Sequence, residues 1–183
     1  MSDGLSLRLA THDDVPAIEK LIDASVRGLS TSYYTIGQID QALRHVFGPD
    51  TQLMDDRTYY VIETPDESLA ASGGWSKRRT LYGGDQHKGT AADPLLDPKV
   101  DAARIRAFFV HPTYARRGLG RRVFEACRAS AEAAGFKALE LGATLPGVPF
   151  YETLGFKAIE RADAALPDDM VLQIVRMRRG IGR

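Results

Sequence analysis

The chain has 183 residues with ordinary apolar and charged content, which suits one domain that buries a core without disulfides or a structural metal. Basic and acidic residues balance at 24 each, so no overall field favours nucleic acid or an anionic membrane, and any basic function must be local. The single cysteine, Cys127, excludes an intramolecular disulfide; with no signal-peptide pattern and no run of about 18 apolar residues, the expectation is a cytoplasmic protein without a membrane span.

Residues 5–10 (LSLRLA) alternate apolar and polar side chains, as a half-buried strand does. Thr11 and Asp14 form a capping box and Pro16 falls in the first turn of the following helix. Its apolar positions Val15, Ile18, Leu21, Ile22 and Val26 keep helical spacing as far as Gly28. Residues 30–34 read as loop. A second capping box, Thr35 with Gln38, opens a helix carrying Ile36, Ile39, Leu43, Val46 and Phe47, which "GPD" stops. "TYYVIE" and "LAASGGWS" predict a hairpin joined by "TPDES".

Residues 77–101 lack periodicity and read as one long loop, of a length that is usually functional or disordered. The strand "ARIRAFFV" follows, with Ile105, Ala107 and Phe109 assigned to one face. From Leu119 a helix carries Val123, Ala126, Cys127, Ser130 and Ala134, closed by Gly135. "KALELGA" is a strand, "VPFYET" a short helix with Pro149 near its start and Gly155 at its C-cap, and "LQIVRM" a last strand. No repeat or linker is visible, so residues 1–183 are expected to form a single mixed α/β (α+β) domain.

Between that central strand and helix lies "HPTYARRGLGRRVF" (111–124), where Arg116, Arg117, Arg121 and Arg122 surround Gly118 and Gly120. A helix start presents unpaired N–H groups and partial positive charge, and glycines let an anion approach those amides. Four guanidiniums suit more than one phosphate, so the turn reads as a pyrophosphate cradle; the alternative is a glycine-started helix with solvated arginines. A P-loop is excluded because no lysine stands at the required spacing. A dinucleotide fingerprint lacks its third glycine, since Arg121 and Val123 occupy the candidate positions.

Residues 106–135, followed by "LELGATLPGVPFYETLGF", closely resemble the GNAT superfamily of acetyl-CoA-dependent acetyltransferases. The resemblance rests on Val110-His111-Pro112 at a strand end, the turn that opens the main helix, and Tyr151 through Gly155-Phe156 downstream. It covers residues 105–157. It implies a mixed, mostly antiparallel twisted sheet flanked by helices, acetyl-CoA as cosubstrate, and a primary amine of a small molecule or peptide as acceptor. A homodimer is the class-level expectation.

In the same family terms, backbone groups of Phe109 and Val110 would pair with the pantetheine amides. Arg116, Arg117, Gly118, Leu119, Gly120 and Arg121 would surround the pyrophosphate. Two positions depart from the pattern: Ala115 stands where the family has Gln or Arg, and Thr144 where it often has Asn, so Thr144 would reach the pantetheine arm by its hydroxyl. Tyr151 would stand by the sulfur as the acid that protonates the leaving thiolate. Tyr33, Tyr34 and Trp75 would line the acceptor side by cation–π contact or packing.

Acetyl transfer to an amine also needs a free base and charge relief at the carbonyl; the Val110 amide is the candidate oxyanion donor. Glu63, Asp85 and His87 are candidate bases, each with a solvated surface role as the alternative. Cys127, at helical spacing with Val123 and Ser130, reads as a small core residue rather than a nucleophile. His111 reads as a loop residue. The histidines and the cysteine show no metal-ligand spacing, so no metal is expected. Two rival classes remain: a non-catalytic acetyl-CoA-binding regulatory module, and a nucleic-acid binder, against which the neutral net charge argues.

Overall fold

The computed structural model describes residues 4–182. One seven-stranded sheet runs through it in the order β1-β2-β3-β4-β5-β7-β6. The strands are β1 (Ser6–Leu9), β2 (Tyr59–Glu63), β3 (Leu69–Ser76), β4 (Ala103–Val110), β5 (Ala138–Thr144), β6 (Lys157–Ala165) and β7 (Val171–Gly180). Every neighbouring pair is antiparallel except β4 and β5. That mixed, mostly antiparallel sheet flanked by helices is the expected fold class.

Among the described residues six α-helices accompany the sheet: α1 (Val15–Leu29), α2 (Ile36–His45), α3 (Thr51–Asp55), α4 (Asp85–Lys88), α5 (Leu119–Ala133) and α6 (Val148–Thr153). The capping box of α2 is closed, with the Gln38 amide donating to Thr35 Oγ1 at 3.1 Å and the Thr35 amide to Gln38 Oε1 at 2.9 Å. Two apolar cores result. One packs α5 residues Val123, Phe124 and Cys127 with Leu139, Leu141 and Phe156; the other packs α1 and α2 with Tyr59, Val61 and Leu172. None of the helices described is long and apolar enough to cross a membrane.

The parallel junction between β4 and β5 positions the site. The two strands pair only through Ala103 with Leu139 and Arg104 with Glu140. At this closed end the buried Glu140 carboxylate takes Arg104 at 2.6 Å, Arg176 at 2.7 Å and Arg178 at 2.7 Å. Burial pushes the Glu140 carboxyl up, but the hydrogen bonds from Arg176 and Arg178 outweigh it and leave it below its ordinary range. Beyond this junction the pairing stops and a cleft opens.

Strand β4 carries a bulge that corrects the sequence reading. Ala107 has φ 58°, the register slips between Ser72 and Gly74, and Ser72 Oγ donates to the Ala107 carbonyl at 3.2 Å. One extra residue reverses which face the following side chains occupy. Ile105 therefore lies in the α5 core, whereas Ala107 and Phe109 pack toward the α1–α2 core.

The segment 77–101 is also more ordered than a bare loop. It contains α4, a bridge between Arg78 and Leu95, and a forked pair from Arg78 to Asp56 at 2.8 and 2.9 Å. The Gly84 amide donates to Val46 at 2.8 Å, and Asp85 accepts from the Thr51 amide and hydroxyl at the start of α3. Arg106 reaches out of β4 to the carbonyls of Thr80, at 3.2 Å, and Gly83. Three further features were not read from sequence: α3, the edge strand β6, and the extension of the last strand to 171–180.

Candidate active site

Where β4 and β5 diverge, a cavity of about 780 Å³ passes between them, from the start of α5 to the faces of α1 and the end of α2. At one end the chain turns through two left-handed residues, Arg116 at φ 61° and Gly118 at φ 81°, before α5 begins at Leu119. Left-handed residues just before a helix aim successive N–H groups into one concavity, an anion-binding geometry. A Cβ placed on Gly118 meets nothing within 4 Å, so space above the amides is open.

The two glycines have different reasons. A side chain at Gly118 is opposed by its φ, since the left-handed region costs other residues about 1–2 kcal/mol. Gly118→Ala is therefore expected to lose about that much stability, read as a lower urea midpoint with an unchanged slope. Gly120 has ordinary φ, but a Cβ there would stand 2.9 Å from Phe150 Cζ. It lets α6 pack on α5, a role the anion-approach reading did not include.

The four arginines separate. Arg116 and Arg121 line the cavity. Arg117 is not among the residues that line it; its guanidinium lies over the Tyr114 ring at 5.3 Å. Arg122 donates to the Leu5 carbonyl at 3.2 Å and ties α5 to the first strand. Leu119 lines the cavity while its side chain is buried in the core.

On β4, Phe109 and Val110 line the cavity. The His111 amide turns to β3, donating to Ala70 at 2.9 Å, so by strand alternation the Val110 amide faces the open side. There it donates to Ser25 Oγ of α1 at 3.3 Å, a long bond to a buried hydroxyl that also lines the cavity. Thr144 lines the opposite wall at the end of β5, and makes no capping bond to the turn that follows.

Tyr151 on α6 lines the cavity between these walls. Its ring is held by Phe108 at 6.2 Å, Phe150 at 5.1 Å and Phe156 at 5.7 Å between centroids. Burial, with the nearby Cys127, pushes the phenol up, so it holds its proton throughout the neutral range.

The three acceptor-side candidates part company. Tyr33 lines the cavity and is 48% exposed. Tyr34 is 5% exposed and outside it; its hydroxyl donates to the Gln173 carbonyl at 2.7 Å and accepts from the Leu145 amide at 2.8 Å, bracing the α1–α2 loop on β7. Trp75 is 3% exposed on β3, edge-on to Phe136 at 5.8 Å in the α5 core. Neither Tyr34 nor Trp75 is placed to touch an acceptor, because each ring is enclosed by protein.

None of the candidate bases lines the cleft. Glu63 pairs with Arg8 at the β1–β2 edge, and Asp85 caps α3 and pairs with Lys88 at 3.6 Å. His87 lies behind Tyr82, ring to ring at 5.0 Å; burial and then Arg106 pull its imidazole below the ordinary range, which keeps it neutral. His111 Nδ1 accepts from the Thr113 amide at 3.2 Å, the local loop role read from sequence. Cys127 is fully buried and its thiol is pushed up by that burial, the opposite of a reactive thiol.

Two features were missed although both left a signal. Ser25 is a polar residue on the apolar stripe of α1, between Ile22 and Val26. Arg106 is a charge inside the apolar run of β4; it pairs with the buried Asp50 at 2.8 Å, which Lys88 also contacts. Among the described residues, no group of three or more His, Cys, Asp or Glu is arranged to hold a metal ion.

Residues 96–165 match the family of the acetyltransferase (GNAT) domain. No curated protein matches the sequence. Among solved structures, a GCN5-related N-acetyltransferase from Rhodopseudomonas palustris is similar at 18% identity and TM-score 0.68, over 96% of this chain and 94% of that one. PaiA N-acetyltransferase from Thermoplasma acidophilum, in complex with coenzyme A, is similar at 12% identity and TM-score 0.67, over 98% and 99%. The ribosomal-protein-S18-alanine N-acetyltransferase from Escherichia coli is similar at 17% identity and TM-score 0.60, over 98% and 95%. At these identities the likeness is one of fold.

Proposed function

We infer that this chain, whose residues 96–165 match the acetyltransferase (GNAT) domain, moves an acetyl group from acetyl-CoA to a primary amine of a small molecule or peptide. The observation that carries this reading is the cleft itself. A left-handed turn and helix start lie at one end, an outward strand amide in the middle and a buried tyrosine across from it.

Acetyl-CoA supplies the activated acyl group as a thioester. The residues present fit it: Gly118 leaves open space above the first-turn amides, and Arg116 and Arg121 face the same space. In this reading the outer edge of β4 at Val110 receives the pantetheine amides as an added strand would, with Thr144 facing it from β5, while alternation turns the backbone groups of Phe109 toward Ser72 of β3. The Val110 amide, held in readiness by Ser25, turns to the acetyl oxygen and stabilises the charge that develops there. The amine nitrogen bonds to the carbonyl carbon as the carbon–sulfur bond breaks. Tyr151 gives its phenolic proton to the departing sulfur, the proton lost by the amine leaves to water, and Tyr151 takes a proton back from water to close the cycle.

A thermal-shift comparison tests the reading. At about 100 times Kd a ligand adds roughly 2.7 kcal/mol, which for a domain of this size raises Tm by about 5–10 °C. Acetyl-CoA is expected to give that shift and ATP at the same concentration far less. No shift with acetyl-CoA overturns the proposal.

A further inference from the structure

We propose that the acceptor is a primary amine carried on an apolar body and bound as its free base, because the acceptor end of the cleft is walled mainly by apolar and aromatic side chains and, among the described residues, offers no carboxylate. This rests on the acetyl-transfer reading above and names the substrate class for it.

The end of the cavity away from α5 is lined by Val26 and Leu29 of α1, Tyr33, Phe47 after α2, and Leu81 and Tyr82 of the 77–101 segment. Among the described residues lining the cavity there is no Asp, Glu or His. The cation on this side, Arg106, is engaged: its guanidinium pairs with Asp50 at 2.8 Å and donates to the carbonyls of Thr80 and Gly83. Asp50 lies behind Arg106 and also contacts Lys88, so its carboxylate is not offered to a ligand. Two backbone groups at this wall are paired as well: the Gly84 amide donates to Val46 and the Gly83 carbonyl accepts from Arg106.

An ammonium entering such a site leaves its water without meeting an anion, and transfer of an unpaired charge from water is strongly opposed. A hydrocarbon or aromatic body gains on the same walls. A second ammonium, as in a diamine or lysine, meets the penalty again. A peptide brings amide groups that find the Gly84 amide and the Gly83 carbonyl already bonded and apolar side chains beside them.

The test is the initial rate of acetyl-CoA-dependent acetylation of 2-phenylethylamine and 3-methylbutylamine against 1,4-diaminobutane, free lysine and an alanyl dipeptide. The apolar amines are expected to exceed the others by at least about 100-fold in kcat/KM, the size that an uncompensated buried charge imposes. Equal or faster acetylation of the diamine, lysine or dipeptide overturns the inference, as does transfer to none of the apolar amines by protein that shows the acetyl-CoA thermal shift. Absence of that shift removes the transfer reading, and this inference with it. Leu29→Glu supplies the missing carboxylate at a residue that lines the cavity and is 39% exposed. It is expected to raise kcat/KM for 1,4-diaminobutane about tenfold and to lower it for 2-phenylethylamine. An unchanged ranking in Leu29→Glu also counts against the inference.

Discussion

Tyr151→Phe is expected to lower kcat by about 10²–10³-fold while the acetyl-CoA thermal shift stays the same. The substitution removes one oxygen and leaves the ring that packs against Phe108, Phe150 and Phe156, so neither the core nor the cleft wall should move. What is lost is the proton for the departing thiolate. A thiol of pKa near 8.5 leaves more easily when a neighbouring acid supplies that proton as the bond breaks.

The direction of the phenol's shift has a consequence for the pH profile. Burial raises it, so the protonated form persists to higher pH than in an exposed tyrosine. Loss of the Tyr151 proton should therefore not produce a falling limb at or below pH 10, the ordinary tyrosine range. The rising limb should follow the amine substrate, because the candidate bases Glu63, Asp85 and His87 do not line the cleft. A Tyr151→Phe kcat within twofold of the parent would mean that water protonates the sulfur.

The fold was legible where a local rule acted alone. Capping boxes marked the 3-10 turn His12–Asp14 that leads into α1 and the start of α2, and the turn residues of "TPDES" between two strand-like runs marked the hairpin. The edge strand β6 was not legible, because "KAIERADAA" is exposed along most of its length and shows no buried face to alternate against. The short α3 follows "GPD", which reads as a stop, and it is held by Asp85 from 34 residues away. The face reversal in β4 is invisible to a period of two, since the extra residue is fixed by a neighbouring strand rather than by its own side chain.

The same division runs through the site. Gly118, Arg116, Arg121, Val110 and Tyr151 were named from a compact motif, and all of them line one cavity. Arg117 came from the same motif, and its side chain lies over the Tyr114 ring; Tyr34 and Trp75 were named as aromatics on the acceptor side, and their rings are buried in the two cores. Aromatic rings are as useful inside a core as beside a ligand, so type alone does not choose between the two. The acceptor wall was the least legible part, because residues 26–33, 47 and 81–82 meet only through the fold.

The buried ion cluster at that wall should be the fold's most sensitive polar feature. Asp50 is 1% exposed and sits between Arg106, whose side chain is 2% exposed, and Lys88 at 12%. Burial pulls the Arg106 guanidinium below its ordinary value, and Asp50 opposes that pull most strongly. Asp50→Ala removes the only anion that an ion pair joins to Arg106 among the described residues, and leaves two cations inside the protein. Breaking such a pair from one side typically costs about 3–5 kcal/mol, so Tm should fall by roughly 10 °C or more. Replacing the partners together by apolar residues removes the charges as well as their attraction. Asp50→Leu with Arg106→Met and Lys88→Met should therefore recover much of the lost stability in the same melting experiment. The triple variant should still lose acceptor binding, since Arg106 no longer ties Thr80 and Gly83, and with them Leu81 and Tyr82, to β4. Its KM for the amine should rise while the acetyl-CoA shift is kept, because the phosphate end of the cleft is built on α5. An Asp50→Ala protein that melts within about 2 °C of the parent would show that water reaches this cluster and that the wall is held by its apolar contacts instead.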